Sequence, residues 1–155
     1  MRPPSMHEEG RRAGEQLAAR IAALGRSPEP VDWVLVCGSG MGAGVLAPRD
    51  RGGLGLVEEL RIDWTELGMP APSVAGHGAS LVFGHLDGPR GRRRVCVQSG
   101  RIHPYEGHSA GVCTAVLGAV LRRQLAATHA GVVLTCAVGS LDPSLAVGEQ
   151  RVSVQ

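Results

Sequence analysis

The chain has 155 residues, which suits one domain, and its formal net charge of +2 gives no electrostatic argument for a nucleic-acid or membrane partner. Its 43% hydrophobic content, 23 glycines and 10 prolines predict an α/β protein with many tight turns. Aromatic residues are so few that the core is expected to be aliphatic, and no apolar run reaches the roughly 18 residues needed to span a bilayer.

Apolar periodicity predicts one helix and several strands in the first part of the chain. Apolar residues recur at helical spacing from about His7 to Leu24, which predicts a helix after a frayed tail at residues 1–6. A near-continuous apolar run over residues 31–37 predicts a buried strand, and the Gly-, Pro- and Arg-rich residues 42–54 predict a loop. Further strands are expected at about residues 55–62, 80–86 and 92–98.

The second part of the chain is also predicted to contain a helix and further strands. A basic cluster at Arg90 and residues 92–94 predicts a solvated hairpin tip. A phosphate-backbone contact is the less favoured reading of this cluster, because no aromatic residue lies near it. Ser109 is a suitable N-cap for a helix over Ser109–Thr128. The remaining strands are expected at Gly131–Val138 and from Arg151 to Val154.

The four cysteines lie inside apolar runs, and no two of them have the close spacing of a zinc site or a redox motif. This pattern is typical of buried, reduced thiols in a cytosolic protein. The N-terminus also lacks the hydrophobic segment of a signal peptide. The sequence therefore predicts a cytoplasmic protein without a metal site. The cysteines are Cys37, Cys96, Cys113 and Cys136.

A glycine-rich turn follows the first predicted strand. The glycines of segment 38–42 leave backbone amides free to turn toward an anion, and Ser39 adds a hydroxyl donor. The same turn fits the dinucleotide fingerprint G-x-G-x-x-G/A, with Ala43 at its last position. That fingerprint has to open a helix, which Pro48 and the glycines after it would soon break. A phosphate site is therefore favoured, with dinucleotide binding as the open alternative.

Residues 99–107 read Ser-Gly-Arg-Ile-His-Pro-Tyr-Glu-Gly and carry the densest set of reactive side chains. Arg101, His103 and Tyr105 alternate, so an extended segment would place them on one side. An arginine fork beside an imidazole is a receptor for an oxyanion, and phosphate is the favoured ligand. A polar, solvated strand end is the open alternative.

In their order along the chain, these motifs resemble those of the trimeric purine nucleoside phosphorylase family, including its methylthioadenosine phosphorylase relatives. The segments that carry the resemblance are Val34–Gly42, Val74–Gly78, Leu81–Gly84, Ser99–Gly107, Thr135–Leu141 and Val147–Glu149. The likeness begins at about residue 15 and runs to the last residue.

Members of that family are roughly twice as long as this chain. The resemblance therefore implies the N-terminal portion of one nucleoside phosphorylase-like domain, spanning residues 1–155 and truncated relative to the family. It implies an α/β fold with a mixed central β-sheet flanked by helices. It also implies a homotrimer.

The resemblance assigns roles to particular residues. The positions matching the family's phosphate contacts are Ser39, His77, Arg101, His103 and the backbone amide of Ala137, and the two histidines are the expected catalytic residues. Tyr105 matches a ribose contact, Val138 and Gly139 match the lining of the purine pocket, and Glu106 is expected to orient His103 or Arg101. Inorganic phosphate would be a co-substrate, and neither a metal nor an organic cofactor is implied.

The implied reaction is the phosphorolysis of purine ribonucleosides or 2′-deoxyribonucleosides to free base and pentose 1-phosphate. The chain departs from the family at Cys136 (usually asparagine), Val138 (usually alanine) and Ser140 (usually glycine). The family residues that bind and protonate the purine lie in the half without a counterpart here, so the chain alone is expected to be a poor catalyst or none. Two alternatives stay open: a catalytically inactive, half-length phosphate-binding or interaction module, and a Rossmann-type nucleotide-binding protein.

Overall fold

A five-stranded sheet organises the residues that the structure, a computed structural model, describes: 4–25, 29–73, 78–124 and 130–152. The helices are α1 (Met6–Ala23), α2 (Met41–Leu46) and α3 (Ala110–Gln124). The strands are β1 (Trp33–Val36), β2 (Val57–Asp63), β3 (Ser80–Gly88), β4 (Gly91–Gln98) and β5 (Gly131–Leu134). Short 3₁₀ turns lie at Arg49–Arg51, Trp64–Leu67 and Pro104–Glu106.

The sheet has the order β2-β3-β4-β1-β5 and mixes both strand directions. β2, β3 and β4 form an antiparallel meander, whereas β1 runs parallel to both β4 and β5. In register, Val34 of β1 lies opposite Cys96 on one side and Val132 on the other. The carboxyl ends of these three parallel strands therefore meet at one end of the sheet, and the predicted α/β fold with a mixed central sheet is confirmed.

Helix α1 begins earlier than its apolar pattern predicts. The Ser5 hydroxyl accepts the Glu8 amide proton, and the Glu8 carboxylate accepts the Ser5 amide proton at 2.6 Å. This capping box satisfies two amide groups that a helix start otherwise leaves unpaired. Ser5 and Met6, expected in a frayed tail, therefore belong to the helix start, whereas residues 1–3 lie outside the described residues.

Apolar side chains cover the two faces of the sheet unequally. On one face, α1 and α3 pack against each other through small residues, Ala13, Ala115 and Ala119, and close a large, mainly aliphatic core that also buries Trp64. On the other face, a smaller cluster forms where α2 lies over Val82 and Val97. The second face therefore carries the smaller core, although Val82 and Val97 on it are fully buried.

Some predicted boundaries are wrong. Residues 42–54, expected as loop, contain most of α2 and the 3₁₀ turn Arg49–Arg51. Pro48 limits α2 to little more than one helical turn. The strand expected to reach Val138 ends at Leu134. Arg151 and Val152 are not in a strand, and the rest of that predicted strand lies outside the described residues.

Three of the four arginines in the basic cluster have the predicted solvated position. Arg90 is exposed in the turn between β3 and β4, and Arg92 pairs with Asp87 across that hairpin at 3.0 Å. Arg94 is instead half-buried and contacts the carboxylates of Glu29 and Glu59.

None of the described helices has the length and apolar character needed to cross a membrane.

Candidate functional site

Three loops converge where the parallel strands end. Gly38 follows β1, Arg101 follows β4 and Cys136 follows β5. A Cβ placed on Gly38 would lie 3.3 Å from Arg101 Nη2 and 3.2 Å from the Cys136 Cα. The guanidinium therefore lies over the first residue of the glycine turn. In open α/β sheets, this end of parallel strands is the usual place for a ligand.

The Thr135 side chain fixes the turn that begins at Gly38. Its hydroxyl accepts the Gly38 amide proton at 2.9 Å and donates to the Val36 carbonyl at 3.1 Å. The Gly38 amide, predicted to face an anion, is therefore occupied by a protein acceptor. Ser39 and Gly40 remain exposed in the turn. Gly40 has φ +74°, a conformation that favours glycine.

Glycines allow the loops beside Arg101 to approach one another closely. A Cβ on Gly42 would collide with the Ser99 carbonyl oxygen, and a Cβ on Gly100 would collide with the Gly78 carbonyl oxygen. The Ser99 hydroxyl lies 3.0 Å from the Ser80 hydroxyl, and both side chains are buried. The backbone that carries Arg101 is therefore tightly packed from two sides.

His103, Tyr105 and Glu106 form a compact unit, although not on the predicted extended segment. β4 ends at Gln98, and Pro104–Glu106 turns into a 3₁₀ helix, in which proline suits the first position. The rings of His103 and Tyr105 stack with centroids 4.8 Å apart and planes 10° apart. The turn therefore brings the two aromatic rings together more directly than an extended strand would.

Glu106 supports this turn through backbone contacts. One carboxylate oxygen accepts the His103 amide proton at 2.7 Å, and the other accepts the Ser73 amide and hydroxyl protons at 2.7 and 2.8 Å. The hydrogen bonds from Ser73 and His103 stabilise the ionised carboxylate and lower the pKa of Glu106 to about 2. The Glu106 carboxylate thus contacts the backbone of His103, and its orienting role stays a prediction. The Ser73 contact, which no sequence motif signals, anchors a neighbouring loop.

The residues expected to line the nucleoside lie open to solvent. Tyr105 is 73% exposed and Val138 is 80% exposed, and Gly139 is also exposed. Ala137, whose amide is the expected phosphate contact, is exposed as well. Among the described residues, Val138 and Gly139 therefore border open surface rather than an enclosed base pocket. His77 lies outside the described residues.

The four cysteines differ in their exposure to solvent. Cys37 and Cys96 are buried as predicted, but Cys113 is half-buried and Cys136 is exposed. The apolar run around Cys136 misled the prediction, because the strand has already ended before this residue. Burial raises the pKa of the Cys37 thiol, and the nearby charge of Arg101 opposes that shift.

A cleft of about 570 Å³ lies beside these loops. Arg61, Asp63 and Thr65 line one wall, and α2 residues line another. Arg61 donates to the Ser80 hydroxyl at 3.1 Å and is held by the Glu58 carboxylate at 2.6 Å. Gly42 and Ala43 of the glycine-rich segment border this cleft, whereas none of the described residues expected to contact phosphate or the nucleoside lines it.

Comparisons with known proteins give a consistent result. A purine nucleoside phosphorylase from Mycobacterium leprae is 33% identical over 145 residues, covering 92% of this chain and 46% of that protein. The purine nucleoside phosphorylase of Rattus norvegicus is 34% identical over 117 residues, covering 74% of this chain and 35% of its own length. No family model matches the chain.

Comparison of the fold with solved structures agrees with the sequence comparison. The crystal structure of a purine nucleoside phosphorylase from Schistosoma mansoni, in complex with acetate, superposes with a TM-score of 0.61 at 25% identity. The match covers 92% of this chain and 44% of that one. The chain is therefore a nucleoside phosphorylase-like α/β protein. More particularly, it is a partial-length relative of the purine nucleoside phosphorylases and spans less than half the length of these relatives.

The Rossmann alternative does not fit this arrangement. A dinucleotide fingerprint needs a helix that opens at the glycine turn and packs along a mostly parallel sheet. Here α2 has six residues, and the chain continues into the antiparallel meander of β2, β3 and β4.

Proposed function

We propose that this chain supplies the phosphate and ribose contacts for the phosphorolysis of purine nucleosides. The observation that carries the proposal is the position of Arg101, whose guanidinium lies over Gly38 where the ends of β1, β4 and β5 converge. Arginine offers a planar fork that matches two oxygens of phosphate, which a single point charge does not. The exposed hydroxyl of Ser39 lies on the same glycine turn.

The chemistry follows from where the charges lie. Phosphate bound by Arg101, His103, Ser39 and the Ala137 amide would present one oxygen to the anomeric carbon of the sugar. As the new C–O bond forms, the bond to the purine nitrogen breaks and its electron pair leaves with the base. Positive charge develops on the sugar, and the adjacent phosphate stabilises it.

The remaining expected residues complete this assignment. Tyr105, stacked on His103, would contact the ribose, and His77 would act close to the phosphate. Val138 and Gly139 would border the base. Phosphate serves as co-substrate and no organic cofactor takes part. A cytoplasmic homotrimer is the expected assembly.

A second candidate is a phosphate-binding module without turnover. The exposure of Tyr105 and Val138 favours it, because a site open to water on the sugar and base side neither excludes solvent nor positions a nucleoside. This module would share the phosphate contacts with the first candidate and differ only in catalysis.

Calorimetric titration with inorganic phosphate tests the contact on which both candidates depend. Replacing Arg101 with Ala removes a charge-assisted interaction worth about 1.5–3 kcal/mol, so affinity should fall roughly 10- to 150-fold. Arg90→Ala is the matched control, because Arg90 is an exposed arginine at the hairpin tip, and its affinity should equal that of the unaltered chain. Equal weakening by both variants would show a general charge effect and overturn the assignment.

A further inference from the structure

Two buried serine hydroxyls lie between the cleft and the segment that carries Arg101. Ser80 begins β3 and is 5% exposed, and Ser99 follows β4 and is 4% exposed. A buried hydroxyl is costly unless it is hydrogen-bonded, and both of these hydroxyls have partners among the described residues. Those partners show what the two serines hold in place.

The hydrogen bonds of the two hydroxyls have one consistent direction. The Ser99 hydroxyl donates its single proton to the Ser80 carbonyl at 3.1 Å and accepts the Ser80 amide proton at 3.2 Å. The bond of 3.0 Å between the two hydroxyl oxygens must then use the Ser80 proton. The Ser80 oxygen in turn accepts a proton from Arg61 at 3.1 Å. A cationic donor thus polarises both hydroxyls in the same sense, which strengthens each bond.

Arg61 fixes the outer end of these bonds from the wall of the cleft. Its Nε and Nη2 atoms donate to the two carboxylate oxygens of Glu58 at 3.0 and 2.6 Å, while Nη1 donates to Ser80. The paired bonds to Glu58 hold the guanidinium plane in one orientation. The Arg61 side chain is 44% exposed, so replacing it removes the donor without opening a cavity in the core. We term Arg61, Ser80 and Ser99 the serine network.

The inner end of the serine network lies two residues before Arg101. Gly100 stands between them, and its carbonyl accepts a proton from the Gln98 side chain at 2.9 Å. A Cβ on Gly78 would lie 2.3 Å from the Ser99 hydroxyl oxygen, and a Cβ on Gly100 would lie 2.2 Å from the Gly78 carbonyl oxygen. Because the backbone is packed this closely, a displacement of Ser99 is passed on to Arg101.

We propose that Arg61 and Ser80 are positioning residues for Arg101, and that they act through Ser99 on the backbone that carries its guanidinium. A planar guanidinium binds two phosphate oxygens only over a narrow range of orientations, so a small displacement of its backbone weakens the contact. Because phosphate is the ligand proposed for Arg101, the inference rests on the proposed function.

Two single variants and their combination test the serine network. Arg61→Met removes the outer donor and retains an apolar stem, and Ser80→Ala removes the middle hydroxyl without changing any charge. Each should weaken phosphate binding by the full chain, measured by calorimetry, by about tenfold, as for other groups that orient a ligand-binding residue. The double variant should bind no more weakly than the weaker single variant, because residues of one network do not act additively.

Two further arginine variants provide the rescue and the control. Arg61→Lys restores a cationic donor to Ser80 and should recover most of the affinity. Arg11→Met is the matched control, because Arg11 is an exposed arginine paired with Glu15 on α1 and its loss changes the net charge equally. Its affinity should equal that of the unaltered chain. Since Arg61 is half-exposed, these comparisons do not depend on whether Ser80→Ala folds.

A measurement without phosphate separates this inference from the proposed function. NMR relaxation reports the order of the Arg101 backbone amide and of its Nε–H group, and both should become less ordered in Arg61→Met and Ser80→Ala but not in Arg11→Met. Unchanged order, or losses of affinity that add in the double variant, would overturn the positioning role. If the unaltered chain binds no phosphate, the proposed function fails, and the relaxation comparison still decides whether the serine network positions Arg101.

Discussion

The Thr135 hydroxyl accepts the amide proton of Gly38 at 2.9 Å across a separation of 97 residues. Because the same hydroxyl also donates to the Val36 carbonyl, one side chain connects the end of β5 to the end of β1 and to the turn that follows it. The position of the glycine turn beneath Arg101 is therefore set by the opposite end of the chain.

Replacing Thr135 with Val should destabilise the protein and loosen this turn. Valine keeps the shape but leaves the Gly38 amide without its acceptor, at a cost of about 1–3 kcal/mol. Urea unfolding measures the loss. Thr114→Val is the control, since Thr114 is exposed on α3 and bonds only to the carbonyl of Ala110 within its own helix. Similar losses in both variants would indicate a generic effect of the substitution.

Two glycines of α2 should respond in opposite ways to alanine. A Cβ on Gly42 meets the Ser99 backbone, so Gly42→Ala should cost about 1–3 kcal/mol through overpacking. A Cβ on Gly44 meets nothing within 4 Å, so Gly44→Ala should stabilise by about 0.5–1 kcal/mol through the backbone entropy of the unfolded chain. Thermal unfolding of both variants gives the comparison, and the same sign in both would contradict it.

Glu106 should make stability depend on acid pH. Hydrogen bonds from Ser73 and His103 lower the pKa of Glu106 from 4.5 to about 2, so its contribution is fully present above the unfolded value and is lost as the pH falls from 4.5 toward 2. The Tm difference between the unaltered chain and Glu106→Gln should therefore shrink over that window. A constant difference would show that the carboxylate is not preferentially ionised in the folded state.

Catalysis should require both halves. With inosine or guanosine and phosphate, the 155-residue chain alone should release base no faster than a buffer control. In complex with the second half, Arg101→Ala and His103→Ala should each lower the phosphate-dependent rate about 10²- to 10³-fold, the effect of losing one transition-state contact. Robust turnover by the chain alone would refute this division of roles.

The sequence predicts those elements whose apolar pattern matches their burial. The helical spacing of Leu17 and Ile21 locates α1, and the β3–β4 hairpin follows from its turn residues and flanking apolar runs. α2 was missed because Gly42 and Gly44 lower its helix propensity, whereas the close approach to Ser99 requires the first of them. Tertiary packing thus overrides the local preference.

The candidate site likewise combines local features that the sequence predicts with contacts between distant segments that it does not predict. The motif around Arg101 and His103 is local, and the sequence alone brings these residues to the end of a strand. The Thr135 and Ser73 contacts depend on chain segments that meet only in the folded protein, so no spacing rule reveals them. Residues after Leu134 were expected in a strand because their apolar character continues, although the chain leaves the sheet there.

The central position of β1 has a consequence for the order in which the protein assembles. Trp33 lies opposite Val95 and Gly131, which are made 62 and 98 residues later. The β3–β4 hairpin closes locally and can form within microseconds, but β1 must wait for distant partners, so loop closure slows this step. On the ribosome, β1 would emerge early and remain unpaired until β4 follows it, which leaves an apolar strand without its partners during synthesis.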